Sequence, residues 1–103
     1  MAKFYMKWWL DPSRVPVDAK ERVKGWLSML EMTKADMKAG LTKDWGCAAG
    51  GDWGYAVIEA PNETELFTNL LKWIPYVHFE VTPVLTVDQT MESIKKAAAS
   101  AGK

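Results

Sequence analysis

The sequence predicts an α+β fold in which strands and helices follow the order βαββαβ, with one more helix at the C-terminal end. Three observations carry this reading. Apolar side chains recur at every second position in residues 3–10 and 77–81, and at helical spacing in residues 16–39 and 62–74. Between them a Gly-rich turn joins two β-type runs. A length of 103 residues supports one core, so residues 1–103 are expected to form a single domain.

The first strand sets Phe4, Met6, Trp8 and Leu10 against Lys3, Tyr5, Lys7 and Trp9. Asp11 and Pro12 stop it. Ala19, Val23, Trp26, Leu27, Leu30 and Met37 then form one stripe of a helix over residues 16–39. Gly25 falls off that stripe, costs such a helix about 1 kcal/mol relative to Ala, and has no explanation in the sequence. Residues 42–49 and 53–60 make a hairpin around Gly50 and Gly51. A two-residue loop would put Gly46 on the face of Trp53 and Tyr55, and a three-residue loop would put Trp45 and Cys47 there. Asn62 caps the second helix, with Glu65 three residues on and Leu66, Phe67, Leu70, Leu71 and Ile74 as its stripe. After Pro75, Val77, Phe79 and Val81 alternate with His78, Glu80 and Thr82 in the last strand. Met91, Ile94 and Ala98 give residues 88–101 a thin apolar stripe on a helix that is expected to pack on something, a partner subunit included.

Composition works mainly by exclusion. Thirteen basic and thirteen acidic residues give a formal net charge of zero, so no long-range field recruits nucleic acid or an anionic membrane. No stretch reaches the length and apolarity of a membrane span or a signal peptide, and the lone Cys47 forms no intrachain disulfide, so a cytoplasmic location is expected. Cys47 itself is expected to be a small buried hydrophobe. Six tryptophans in 103 residues are the unusual feature, because Trp is enriched where a protein grips a ligand or another chain.

Right-handed crossovers turn this element order into a ferredoxin-like two-layer sandwich, both main helices covering one face of an antiparallel sheet. The helix side takes Phe4, Met6, Trp8, Leu10, Val77, Phe79 and Val81, and its core is expected to include Leu27, Leu30 and Leu70. The opposite face carries Tyr5, Lys7, Trp9, Trp53, Tyr55, His78 and Glu80. It is aromatic, and monomers seldom leave so large an apolar patch in water, so two such faces are expected to pair in a homodimer.

The run Gly54-Tyr55-Ala56-Val57-Ile58-Glu59-Ala60, the helix ending Lys72-Trp73, and Phe79-Glu80-Val81-Thr82-Pro83-Val84-Leu85 resemble a small family of unknown function in the dimeric α/β-barrel superfamily. The resemblance spans about residues 3–94 in element order. It implies a barrel made of two sheets that often encloses a small-molecule cavity. Superfamily members include muconolactone isomerase, cofactor-free monooxygenases and haem-degrading enzymes. Haem degradation would require an axial His on the second helix, and residues 62–74 contain none.

His78, whose ordinary pKa lies near neutrality, is the natural general base of such a cavity. Lys7 and Glu80 share its face on neighbouring strands, where they can tune it or simply pair with each other. Tyr5, Trp9, Trp53 and Tyr55 can stack on a planar ligand or fill a dimer core. No cofactor is expected, and one His, one Cys and scattered carboxylates supply no metal-ligand spacing. Phosphate-cradle and nucleophile-elbow patterns are absent from the sequence.

Three functions fit. The first is a cofactor-free isomerase, lyase or monooxygenase acting on an aromatic or polyketide-like molecule. The second is a non-catalytic ligand-binding or protein-interaction dimer. The third, an RNA-binding module of the same element order, is weakened by zero net charge and by Trp53, Val57 and Ala60 at positions its motif gives to basic and aromatic residues.

Overall fold

Period-two alternation produces four strands, and apolar stripes at helical spacing produce three helices. A computed structural model describes residues 1–102; Lys103, the last residue of the expected domain, lies outside them. The elements are β1 (Ala2–Leu10), α1 (Ala19–Lys38), β2 (Thr42–Cys47), β3 (Trp53–Ala60), α2 (Glu63–Leu70), β4 (Val77–Val84) and α3 (Val87–Ala101). Short 3-10 turns lie at Pro12–Arg14 and Leu71–Trp73. The sheet order is β2-β3-β1-β4 and every pairing is antiparallel, the arrangement that the ferredoxin-like reading requires.

Capping side chains set where the helices start. Asp18 accepts from the Glu21 backbone N–H at 3.0 Å and begins α1 three residues later than Pro16 would have. Asn62 accepts from the Glu65 N–H at 2.9 Å. Thr86 and Gln89 form a reciprocal capping box that begins α3. β4 runs past Val81 to Val84 because it lies at the sheet's edge, where Pro83 costs no ladder hydrogen bond.

Register assigns the two faces. Lys7 lies opposite both Tyr55 and Glu80, and Trp9 lies opposite both Trp53 and His78, so the expected open-face set shares one surface. Gly46 opposes Tyr55, which places Trp45 and Cys47 on the helix side, the parity a two-residue loop would give.

The core lies at the α2 end of the helix side. Phe4, Met6, Ala56, Ile58, Ala60, Leu66 and Leu70 form one buried cluster. There α2 sits close because Ala56 and Ala60 are small. α1 behaves differently: it packs mainly against β2, and Thr33 is its one buried residue. Leu27 and Leu30, expected in the core, are 58% and 40% exposed. Cys47 is exposed as well, correcting its expected burial. Large rings, Trp8, Trp45, Trp73 and Phe79, occupy the space beneath α1, and they leave a cleft there.

α3 buries no residue, and Val87, Met91 and Ile94 stand on its surface. The Cα radius of gyration, 17.5 Å, exceeds the roughly 13 Å of a compact chain of this length, consistent with a helix that projects from the body. No helix among the described residues is long and apolar enough to cross a membrane.

Candidate functional site

Two surfaces concentrate the chemistry of this chain, one on each side of the sheet. The first is the cleft under α1, a space of about 460 Å³ whose size lies within the usual range for pockets that take small organic ligands. β1 contributes Trp8 and Leu10, α1 contributes Trp26, Met29, Leu30 and Thr33, and β2 contributes Trp45 and Cys47. Trp73, Val77 and Phe79 close the far wall. Four of the six tryptophans therefore face one space. Trp8 and Trp45 stack at 5.4 Å between centroids with planes 15° apart. The Trp8 indole N–H donates to the Tyr55 carbonyl at 3.2 Å, so its polar atom is satisfied while its ring faces the cleft. Thr33, the one hydroxyl of the wall, donates to the Met29 carbonyl at 3.1 Å, leaving the lining almost wholly apolar.

Trp8 lies on the helix side, as its parity in β1 requires, and the cleft it faces has no counterpart among the expectations from sequence. The parity of Trp8 was the one usable signal, and Trp45 joins it on the helix side only through the observed hairpin register.

The second surface is the open sheet face. Tyr5 and Trp53 are 41% and 42% exposed there, and His78 and Glu80 are exposed. Tyr5 and Tyr55 stack at 6.3 Å. The Lys7 ammonium lies 5.1 Å from the centre of the Trp53 ring, so the cation opposite Glu80 in register turns to an aromatic face. His78 stacks on Trp9 at 5.9 Å, and its Nε2 lies 3.1 Å from Asp11 Oδ2, a partner 67 residues away in the chain. The Ser13 hydroxyl and backbone N–H, with His78, hold the Asp11 carboxyl below its ordinary 3.8. Lys7, His78 and Glu80 thus share the face, but the carboxylate that meets His78 is Asp11. Among the described residues, no group of three or more His, Cys, Asp or Glu side chains is placed to hold a metal ion.

Tyr55 joins the two surfaces. Its ring lies over Gly46, where any Cβ would collide with it, and its hydroxyl donates to Asp44 Oδ2 at 3.2 Å. That hydrogen bond, reinforced by the carboxylate's charge, raises the phenol above its ordinary 10.0. The contact is fully present below 10.0 and is lost as pH rises through the raised value. In an alkaline titration followed by phenolate absorbance, Asp44→Ala is expected to bring Tyr55 back toward 10.0. An unchanged profile would mean that the carboxylate does not reach the hydroxyl.

A family model, Domain of unknown function (DUF3303), matches residues 2–98. The chain belongs to that family. No curated protein matches it. The match runs from the start of β1 into α3, so the cleft and the open face both lie inside the DUF3303 domain.

Proposed function

We propose that this DUF3303 protein acts as one domain that binds a small molecule with a flat, apolar body in the cleft under α1. The observation that carries the reading is the convergence of Trp8, Trp26, Trp45 and Trp73 on one apolar space of about 460 Å³. Rings of that size bind planar ligands by stacking and by area removed from water, and the cleft offers little to recognise a polar body. Binding there requires neither cofactor nor metal, and the lone Cys47 suits a reducing cytoplasm.

Calorimetric titration with naphthamide, a neutral flat molecule, tests this. Saturable binding is expected in the parent and at least a tenfold loss in Leu30→Trp, which fills the cleft from α1. Absence of binding in the parent, or equal binding in Leu30→Trp, would remove the reading.

A second reading concerns the open face and rests on the exposure of Tyr5 and Trp53 beside Trp9 and Tyr55. Covering these rings with the same face of another copy gives a homodimer of the dimeric α/β-barrel kind, with the α3 stripe as a further contact. His78 would then be enclosed with Asp11 as its orienting carboxylate, in the role of general base, with Lys7 beside a developing oxyanion and Glu80 orienting either one. This is the cofactor-free isomerase, lyase or monooxygenase form of the function. Light scattering at micromolar concentration separates the forms: a monomer leaves only the binding protein.

A further inference from the structure

We infer that the ligand of the cleft is an organic acid, its flat body among the tryptophans and its carboxylate at the Arg14 and Arg22 end. This rests on the cleft reading above and extends it. A second space of about 310 Å³ adjoins the first, and the two share Leu10, Trp26, Met29 and Trp73 as walls. Its chemistry differs. Arg14, Arg22 and Lys72 line it, and no carboxylate does.

The three cations are not equivalent. Lys72 is already neutralised, its ammonium lying 2.7 Å from Asp36 Oδ1. The ion pairs among the described residues involve Lys43, Lys72, His78 and Lys96, which leaves Arg14 and Arg22 without a carboxylate partner. The Arg22 guanidinium is held in place: one nitrogen donates to the Pro16 and Val17 carbonyls at 3.3 and 3.0 Å, and the group lies 5.6 Å from the Trp26 ring centre. A guanidinium carries five N–H donors, so the others remain for a ligand oxygen. Trp26 borders both spaces, which places a fixed positive charge at the boundary between the apolar chamber and the basic one. A neutral ligand would leave that charge unused.

Gly25 fits the same account. It lines the second space, and a Cβ built there meets nothing within 4 Å. Any other residue except proline would favour α1 and project into the chamber, so glycine at this position keeps the chamber open at about 1 kcal/mol of helix propensity.

Naphthoate and naphthamide, which share a ring system and differ in charge, test the inference near neutral pH by calorimetry. Naphthoate is expected to bind about tenfold more tightly than naphthamide in the parent, with the preference shrinking as salt rises. Arg14→Gln with Arg22→Gln should abolish the preference, bringing naphthoate affinity down to that of naphthamide. Because Arg22 also secures the turn before α1, Gly25→Leu provides an independent arm: thermal stability equal to or above the parent, with naphthoate affinity lowered about tenfold. Equal affinity for acid and amide in the parent would overturn the inference while leaving the cleft reading standing. Binding of neither would overturn both.

Discussion

Replacing Phe4 by alanine is expected to destabilise the protein by about 4 kcal/mol. Phe4 is fully buried at the centre of the cluster of Met6, Ala56, Ile58, Ala60, Leu66 and Leu70. Its β1 position fixes it over the sheet, and α2 closes over it from above. Two of its neighbours are alanines in paired strands, unable to move into the space a phenyl ring vacates, so the cavity term adds to the lost transfer energy. A domain of this size is stable by roughly 5–15 kcal/mol in total, and this cluster holds seven of the eight buried apolar residues among the described ones. Urea melts of parent and variant measure the difference. A loss below about 1 kcal/mol would mean that α2 does not seal this end of the sheet.

Phe4 also illustrates what the sequence makes legible. Alternation in β1 assigned Phe4 and Met6 to one face and Tyr5, Lys7 and Trp9 to the other, because a strand's side-chain period leaves a residue no third choice. The α2 start was readable because Asn62 caps only one way. Thr86 and Gln89 carried an equally readable capping box, and the helix begins at Val87, one residue from the expected start near Asp88. The hairpin register was open because Gly50 and Gly51 tolerate either loop geometry.

The candidate site was less legible, for a physical reason. The stripe of Val23, Trp26, Leu27 and Leu30 says that α1 has an apolar side, but a stripe carries no information about the distance to the sheet. That distance depends on the summed volume of rings contributed by β1, β2 and the segment after α2, which a one-dimensional pattern does not add up. The pairing of His78 with Asp11 was hidden for a related reason. Asp11 lies just past the end of β1, and it reaches His78 because β4 pairs β1 in a register that sets His78 beside Trp9. Lys7 and Glu80 were readable as neighbours, yet they form no ion pair, and the ammonium lies over the aromatic face of Trp53.

Gly54→Ala is expected to cost about 3 kcal/mol and to deform the cleft at the same time. A Cβ at Gly54 would fall inside the van der Waals envelope of the Trp8 ring and of the Gly46 carbonyl oxygen. Neither can yield cheaply. The carbonyl belongs to β2, whose ladder with β3 pairs Cys47 with Gly54, so moving it opens backbone hydrogen bonds. The Trp8 ring is fixed by its stack on Trp45 and by the hydrogen bond from its indole to the Tyr55 carbonyl. Lifting the ring off Gly54 breaks that bond and drives the indole into the space between the sheet and α1. Stability and ligand affinity should therefore fall together, whereas Phe4→Ala should lower stability far more than affinity, since Phe4 does not line the cleft. Gly50→Ala is the control, because a Cβ there meets nothing within 4 Å, and it should stay within about 0.5 kcal/mol of the parent. Paired melts of the two alanine variants, followed by naphthamide titration of each, give the result. If Gly54→Ala matches Gly50→Ala in both measurements, Trp8 does not lie against the β3 backbone and the floor of the cleft is not where its ring has been placed.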